Sequence, residues 1–99
     1  MKNLKSSQRS YLKSQAHHLE SVIHIGKNGL TQATVQAINS ALIANELIKI
    51  KFLEFKHDKQ EIADKIVTDT FSNIVGIIGH TLILFKQNPD PNKQKYQLS

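Results

Sequence analysis

The sequence predicts an α/β fold: a compact single domain with a mixed four-stranded sheet, in the element order α-β-α-β-α-β-β. Three observations predict it. Apolar residues recur at helical spacing in three segments, four short runs rich in Val, Ile, Leu and Phe lie after or between those segments, and 99 residues suffice for one modest core but not two. Strands separated by helices are expected to pair in parallel, and the last two to form an antiparallel hairpin.

The first helix is read over Ser6 to Leu19, where Tyr11, Leu12, Ala16 and Leu19 form the apolar stripe and Ser6 or Ser7 can cap the start. Ser21 to Ile25 (SVIHI) ends at a glycine and reads as a buried strand. Thr31 is the N-cap candidate of a second helix running to Asn45, with Val35, Ile38, Ala41 and Leu42 on one face. Leu47 to Phe55 alternates, so Ile48, Ile50 and Phe52 share one side and Lys49 and Lys51 the other. Asp58 and Glu61 have capping-box spacing ahead of a third helix carrying Ile62, Ile66, Val67 and Thr70. Asn73 to Ile78 and Thr81 to Lys86 are strands joined at Gly79-His80, a pair suited to a type II′ hairpin. The sequence thus divides into a domain at residues 1–87 and a polar, proline-containing tail at residues 88–99, which has too little apolar content to fold alone.

Composition narrows the function. Thirteen Lys+Arg against eight Asp+Glu give a net charge of +5, which favours a polyanionic partner. The absence of Cys excludes thiolate metal sites, disulfides and thiol nucleophiles. No apolar run approaches the length of a membrane span, and the basic start leads into no apolar signal region, so a cytoplasmic location without membrane association is expected.

The stretch Ile25-Gly26-Lys27-Asn28-Gly29-Leu30-Thr31 delivers the chain from a strand to a helix N-terminus, where unpaired N–H groups and the helix dipole favour an anion. Glycines at both ends allow a close approach of a sugar-phosphate; Lys27 adds a mobile charge, and Asn28 a donor and an acceptor. The alternative is that Asn28-Gly29 is a tight turn and nothing more. Neither a P-loop nor a dinucleotide-binding glycine pattern is present, which leaves the short GxxG loop that clamps nucleic-acid backbone in KH domains, although those place it between two helices.

The ordered set Gln8-Arg9-Ser10-Tyr11-Leu12-Lys13, Ala16-His17, Ile25 to Thr31, Ala41-Leu42, Glu46 to Lys51 and Ile78 to Lys86 resembles the bacterial stand-alone YhbY-like CRM (chloroplast RNA splicing and ribosome maturation) domain. The resemblance spans most of the chain apart from the tail. It implies a fold similar to the C-terminal domain of translation initiation factor three, and an RNA-binding module of large-subunit ribosome precursors that contacts RNA through Gly26, Lys27, Asn28 and Gly29. The family usually closes its last strand with a basic residue, Thr, and then Leu-Tyr-Arg; here His80, Phe85 and Lys86 stand at those positions.

Further basic residues extend the expected interface. Lys2, Lys5, Arg9 and Lys13 recur every three or four residues, so they form one stripe if the first helix extends that far, with no acidic residue before Glu20. Lys49 and Lys51 extend the track if helices cover only the opposite sheet face; otherwise they are surface lysines that discourage edge aggregation. Tyr11 reads as a core residue rather than a base-stacking one. The five histidines lack metal-site spacing and no nucleophile motif is present, so no enzyme, metal, cofactor or small-molecule substrate is expected. The expectation is a monomeric RNA-binding factor of the assembling large ribosomal subunit, holding RNA mainly by backbone and shape. The alternative is a protein-interaction module of the ribosome or translation apparatus using the basic surface and the tail.

Overall fold

The elements follow in the expected order: α1 Ser6–Ala16, β1 Ser21–Ile25, α2 Gln32–Asn45, β2 Leu47–Phe52, α3 Lys59–Thr70, β3 Asn73–Ile78 and β4 Thr81–Phe85, then a 3-10 turn at Pro91–Lys93. The computed structural model describes residues 4–98, so Lys2 lies outside the described residues. The sheet is mixed and four-stranded, ordered β1-β2-β4-β3. β1 runs parallel to β2, and β4 is antiparallel to both β2 and β3.

The pairing of β3 differs from expectation, because β4 lies between it and β2. The burial pattern gives the reason. Leu82, Ile83, Leu84 and Phe85 are all buried, and a strand apolar on both faces is sheltered only in the middle of a sheet covered on both sides. β1, by contrast, is an edge strand rather than the buried one expected, with Val22 and His24 exposed and a register shift between Ser21 and Ile23. An irregular edge resists further strand pairing.

Helices cover both faces of the sheet. α2 and α3 pack Ile38, Leu42, Ala63 and Ile66 against Ile48, Ile50, Phe52, Leu82 and Leu84. On the other face, α1 packs Leu12 and Ala16 against Leu47, Val75, Ile83 and Phe85. β2 alternates as expected, but Lys49 and Lys51 share the α1 face, which α1 covers only in part. Lys49 is half-buried, whereas Lys51 stays exposed.

The helix starts show how local chemistry sets boundaries. Thr31 caps α2, its Oγ1 accepting the Thr34 amide at 3.1 Å. At α1 the N-cap is Lys5 rather than Ser6 or Ser7; its amide donates to Gln8 Oε1 at 2.9 Å. α1 also stops at Ala16, three residues earlier than expected. Asp58 occupies the N-cap of α3, but its side chain makes no capping bond because its backbone has left the extended region that aims such a side chain at the first turn.

Residues 88–98 lie against the domain. Glu46 ends α2 with φ +64° and is only 2% exposed. Its carboxylate accepts the amides of Asn88 (2.6 Å), Lys95 and Tyr96 (3.2 Å). Tyr96 and Leu98 pack on the α1-side core, Tyr96 meeting Phe85 edge-on with ring centroids 6.2 Å apart. A buried carboxylate saturated with N–H donors is thus the anchor that a short polar segment needs.

Candidate nucleic-acid interface

Because β1 and β2 are parallel and β4 returns antiparallel from β3, the loops after β1, β2 and β3 gather at one end of the sheet. Ligands of open α/β sheets commonly bind at the carboxyl ends of parallel strands. Backbone bonds tie these loops together. The amides of Leu53 and Glu54 donate to the Ile25 carbonyl at 2.9 and 3.2 Å, and that of Phe52 to the His80 carbonyl at 2.8 Å. Lys59 Nζ donates to the Gly79 carbonyl and lies 3.2 Å from His80 Nδ1. Gly79 has φ +59°, as the expected hairpin turn requires.

Within Gly26–Gly29 the two glycines do different work. The Gly29 amide donates to the Gly26 carbonyl at 3.0 Å and closes a tight turn. Gly29 needs its positive φ of +65°, and a Cβ there would meet the Phe55 ring at 3.3 Å. Gly26 has nothing within 4 Å of a Cβ position, so its lack of a side chain leaves open space. Lys27 and Asn28 are exposed, and their amides bond to no other described residue. The stretch is therefore both a turn and a set of open donors, with Thr31 starting α2 directly behind it.

Cations converge around the β3–β4 turn at the same end of the sheet. The His80 imidazole is held below its ordinary value, first by desolvation and then by the charges of Lys59, Lys56, His57 and Lys51. Lys59 at 3.2 Å from the ring, together with the charges of Lys56, His57 and Lys51, makes the field around His80 positive, so an anion is attracted there.

The remaining sequence-predicted residues divide. Lys13 lies across β3 with its Cε where a Cβ on Gly76 would sit, so the glycine makes room for the lysine stem. With His17, Lys49, Thr81, Ile78 and Ile83, Lys13 lines a shallow groove of about 180 Å³ on the uncovered part of the α1 face. Lys51 pairs in register with Thr81 and His24 and joins this groove to the loop end. Lys49 is partly committed, since its Nζ donates to the Leu19 carbonyl at 3.0 Å. Arg9 is committed too: its guanidinium donates to the Leu4 carbonyl at 2.6 Å and to Ser6 Oγ at 3.2 Å. Lys5 is exposed but about 12 Å along the helix axis from Lys13. The expected stripe is thus not one uniform surface. Tyr11 is 39% exposed rather than core. Among the described residues no three His, Cys, Asp or Glu side chains form a group that could hold a metal ion, and no helix is long and apolar enough to cross a membrane.

Sequence reasoning missed the loop Leu53–Asp58, which supplies Phe55, Lys56 and His57. Extending β2 to Phe55 hid it. The signal was available, because a parallel β1–β2 pair places the segments following both strands at the same end.

The sequence model of the CRS1 / YhbY (CRM) domain matches residues 4–86. The chain belongs to the CRM domain family. It is 37% identical to the Bacillus subtilis protein YqeI, named a probable RNA-binding protein, over 92% of this chain and 95% of that one. It is 38% identical to a Haemophilus influenzae protein named an RNA-binding protein, over 95% of this chain and 96% of that one. A solution structure of a Staphylococcus aureus protein, described as a candidate RNA binder, superposes with a TM-score of 0.79 at 28% identity and covers 95% of this chain and 99% of its own. The CRM match ends before the tail that Glu46 anchors. Of the departures from the usual CRM closing strand, Phe85 lies in the core beneath α1 and has no access to a ligand.

Proposed function

We propose that this CRM domain binds RNA at the loop end of its sheet, and that its client is large-subunit ribosomal RNA in precursor particles. The open amides of Lys27 and Asn28, in the loop that leads to α2 and at the same end of the sheet as the basic residues Lys51, Lys56, His57 and Lys59 around His80, carry this reading. Backbone donors and the α2 dipole hold one phosphate while the lysines neutralise its neighbours and release counterions. The groove at Lys13, Lys49 and Lys51 continues the path, with Lys5 and Arg9 further along α1. The names of the relatives support RNA as the ligand; the ribosomal client follows from the CRM resemblance.

The alternative role, a protein-interaction module of the ribosome or translation apparatus using the basic surface and the tail, finds less support, because Tyr96 and Leu98 of the tail are already packed on the core. Titrating salt tests the proposal. Neutralisation of about four phosphates on single-stranded RNA gives a slope of log K against log salt near −3. Crosslinking in cells followed by sequencing of the attached RNA tests the ribosomal client. A flat salt response, or crosslinks scattered over messenger RNA, would count against the respective part.

A further inference from the structure

Phe55 departs from what an apolar aromatic residue ordinarily does. It is 41% exposed, and its backbone is left-handed, with φ +57°. Phenylalanine gains nothing from that conformation, which Gly and Asn adopt more readily. The surrounding bonds impose it: Leu53 and Glu54 are tied to Ile25, and the Asp58 amide donates to the Phe55 carbonyl at 3.0 Å. The result is a ring that occupies the space a Gly29 side chain would take, yet stays 41% exposed. Leu53, 49% exposed, lies beside it, and together with Glu54, Lys56, His57 and Asp58 they line an open hollow of about 280 Å³.

An exposed aromatic ring beside a turn with open amides, and next in sequence to Lys56 and His57, has the chemistry of a single-stranded nucleic-acid platform. Stacking suits any base, and neighbouring cations track the backbone. We propose that Phe55 stacks one unpaired base of the RNA whose backbone is held at Gly26–Gly29. This rests on the RNA-binding reading above and adds a base contact to a mode otherwise made of backbone contacts. It also assigns the hollow, which holds the base that lies on Phe55.

The test compares two probes, an unstructured RNA of about twelve nucleotides and an abasic ribose-phosphate chain of the same length and charge. Binding of wild type, Phe55→Leu, Phe55→Asn and Lys27→Ala is measured by fluorescence anisotropy alongside thermal melts. Leucine keeps an apolar contact with Gly29 but offers no π-face; asparagine accepts the left-handed backbone. Both Phe55 variants should lose about tenfold in affinity for the RNA and nothing for the abasic chain, with the salt slope unchanged. Phe55→Asn should melt no lower than wild type. Lys27→Ala should weaken both probes alike. Wild-type affinity for RNA in Phe55→Leu, or an equal loss on both probes, would make Phe55 a spacer for the glycine turn and overturn the stacking role alone. Failure of wild type to bind either probe would instead overturn the RNA-binding reading on which it rests.

Discussion

The two ends of β2 solve the same problem in opposite ways. At its start, the chain leaves a helix through a residue of positive φ, Glu46, whose buried carboxylate gathers three backbone amides from the tail while its own amide and carbonyl bond to Leu42 and Lys86. At its finish, the chain enters a loop with another residue of positive φ, Phe55, beside a turn whose exposed amides reach no described residue. One end is closed, so its polar groups serve stability. The other is open, and its unmatched donors and exposed ring are available to a partner. A binding role therefore fits the open end, even though the closed end carries the more elaborate hydrogen bonding.

This contrast can be broken most severely at Glu46. Glu46→Ala strands three amides around a vacated site, so urea denaturation should show a loss of about 3 kcal/mol, with RNA affinity unchanged wherever the protein remains folded. A loss below about 1 kcal/mol would mean that the tail is only loosely held. The glycines give the next effect. Gly29→Ala forces a side chain into a positive φ and against Phe55 and should cost about 1–2 kcal/mol. Gly26→Asp should leave stability within about 0.5 kcal/mol but weaken RNA binding by roughly tenfold, since it puts a carboxylate into open space beside the phosphate site. Equal melting of the two glycine variants would contradict their different roles.

Lys27→Ala should lower affinity only about threefold near physiological salt and reduce the salt slope by about 0.7, without altering the melt. The smallest effect is at His80. Its native pKa lies below the ordinary value of 6.5, so the unfolded chain takes up a proton first; this contribution to stability is full above that value and is lost as pH falls through the lowered native one. A phosphate bound beside the same cations would raise the native pKa, so RNA affinity should strengthen modestly as pH falls from about 7.5 to 6. A pH-independent affinity equal to that of His80→Gln would place the RNA away from this ring.

Element types were legible because apolar spacing is a strong local signal. The Thr31 cap, the β2 alternation and the Gly79-His80 hairpin all appear as the sequence implies. What stayed hidden was relational. The position of β4 depends on comparing strands, and only the unbroken Leu82 to Phe85 run pointed to the centre. Nothing local to Glu46 indicates that a segment some 40 residues later will return to it. At the candidate site, the glycine loop could be read from its letters, whereas Phe55 could not, because its meaning comes from Gly29 across a loop contact. The commitment of Arg9 to Leu4 and Ser6 likewise depends on a rotamer, which spacing does not specify.

The position of β4 has a consequence for biogenesis. The strand that joins β2 to β3 is the last of the four to be synthesised, so while a ribosome is still making residues 81–85 the earlier strands cannot assemble into the native sheet. Closure of this domain therefore waits for the emergence of β4 rather than of its first helix.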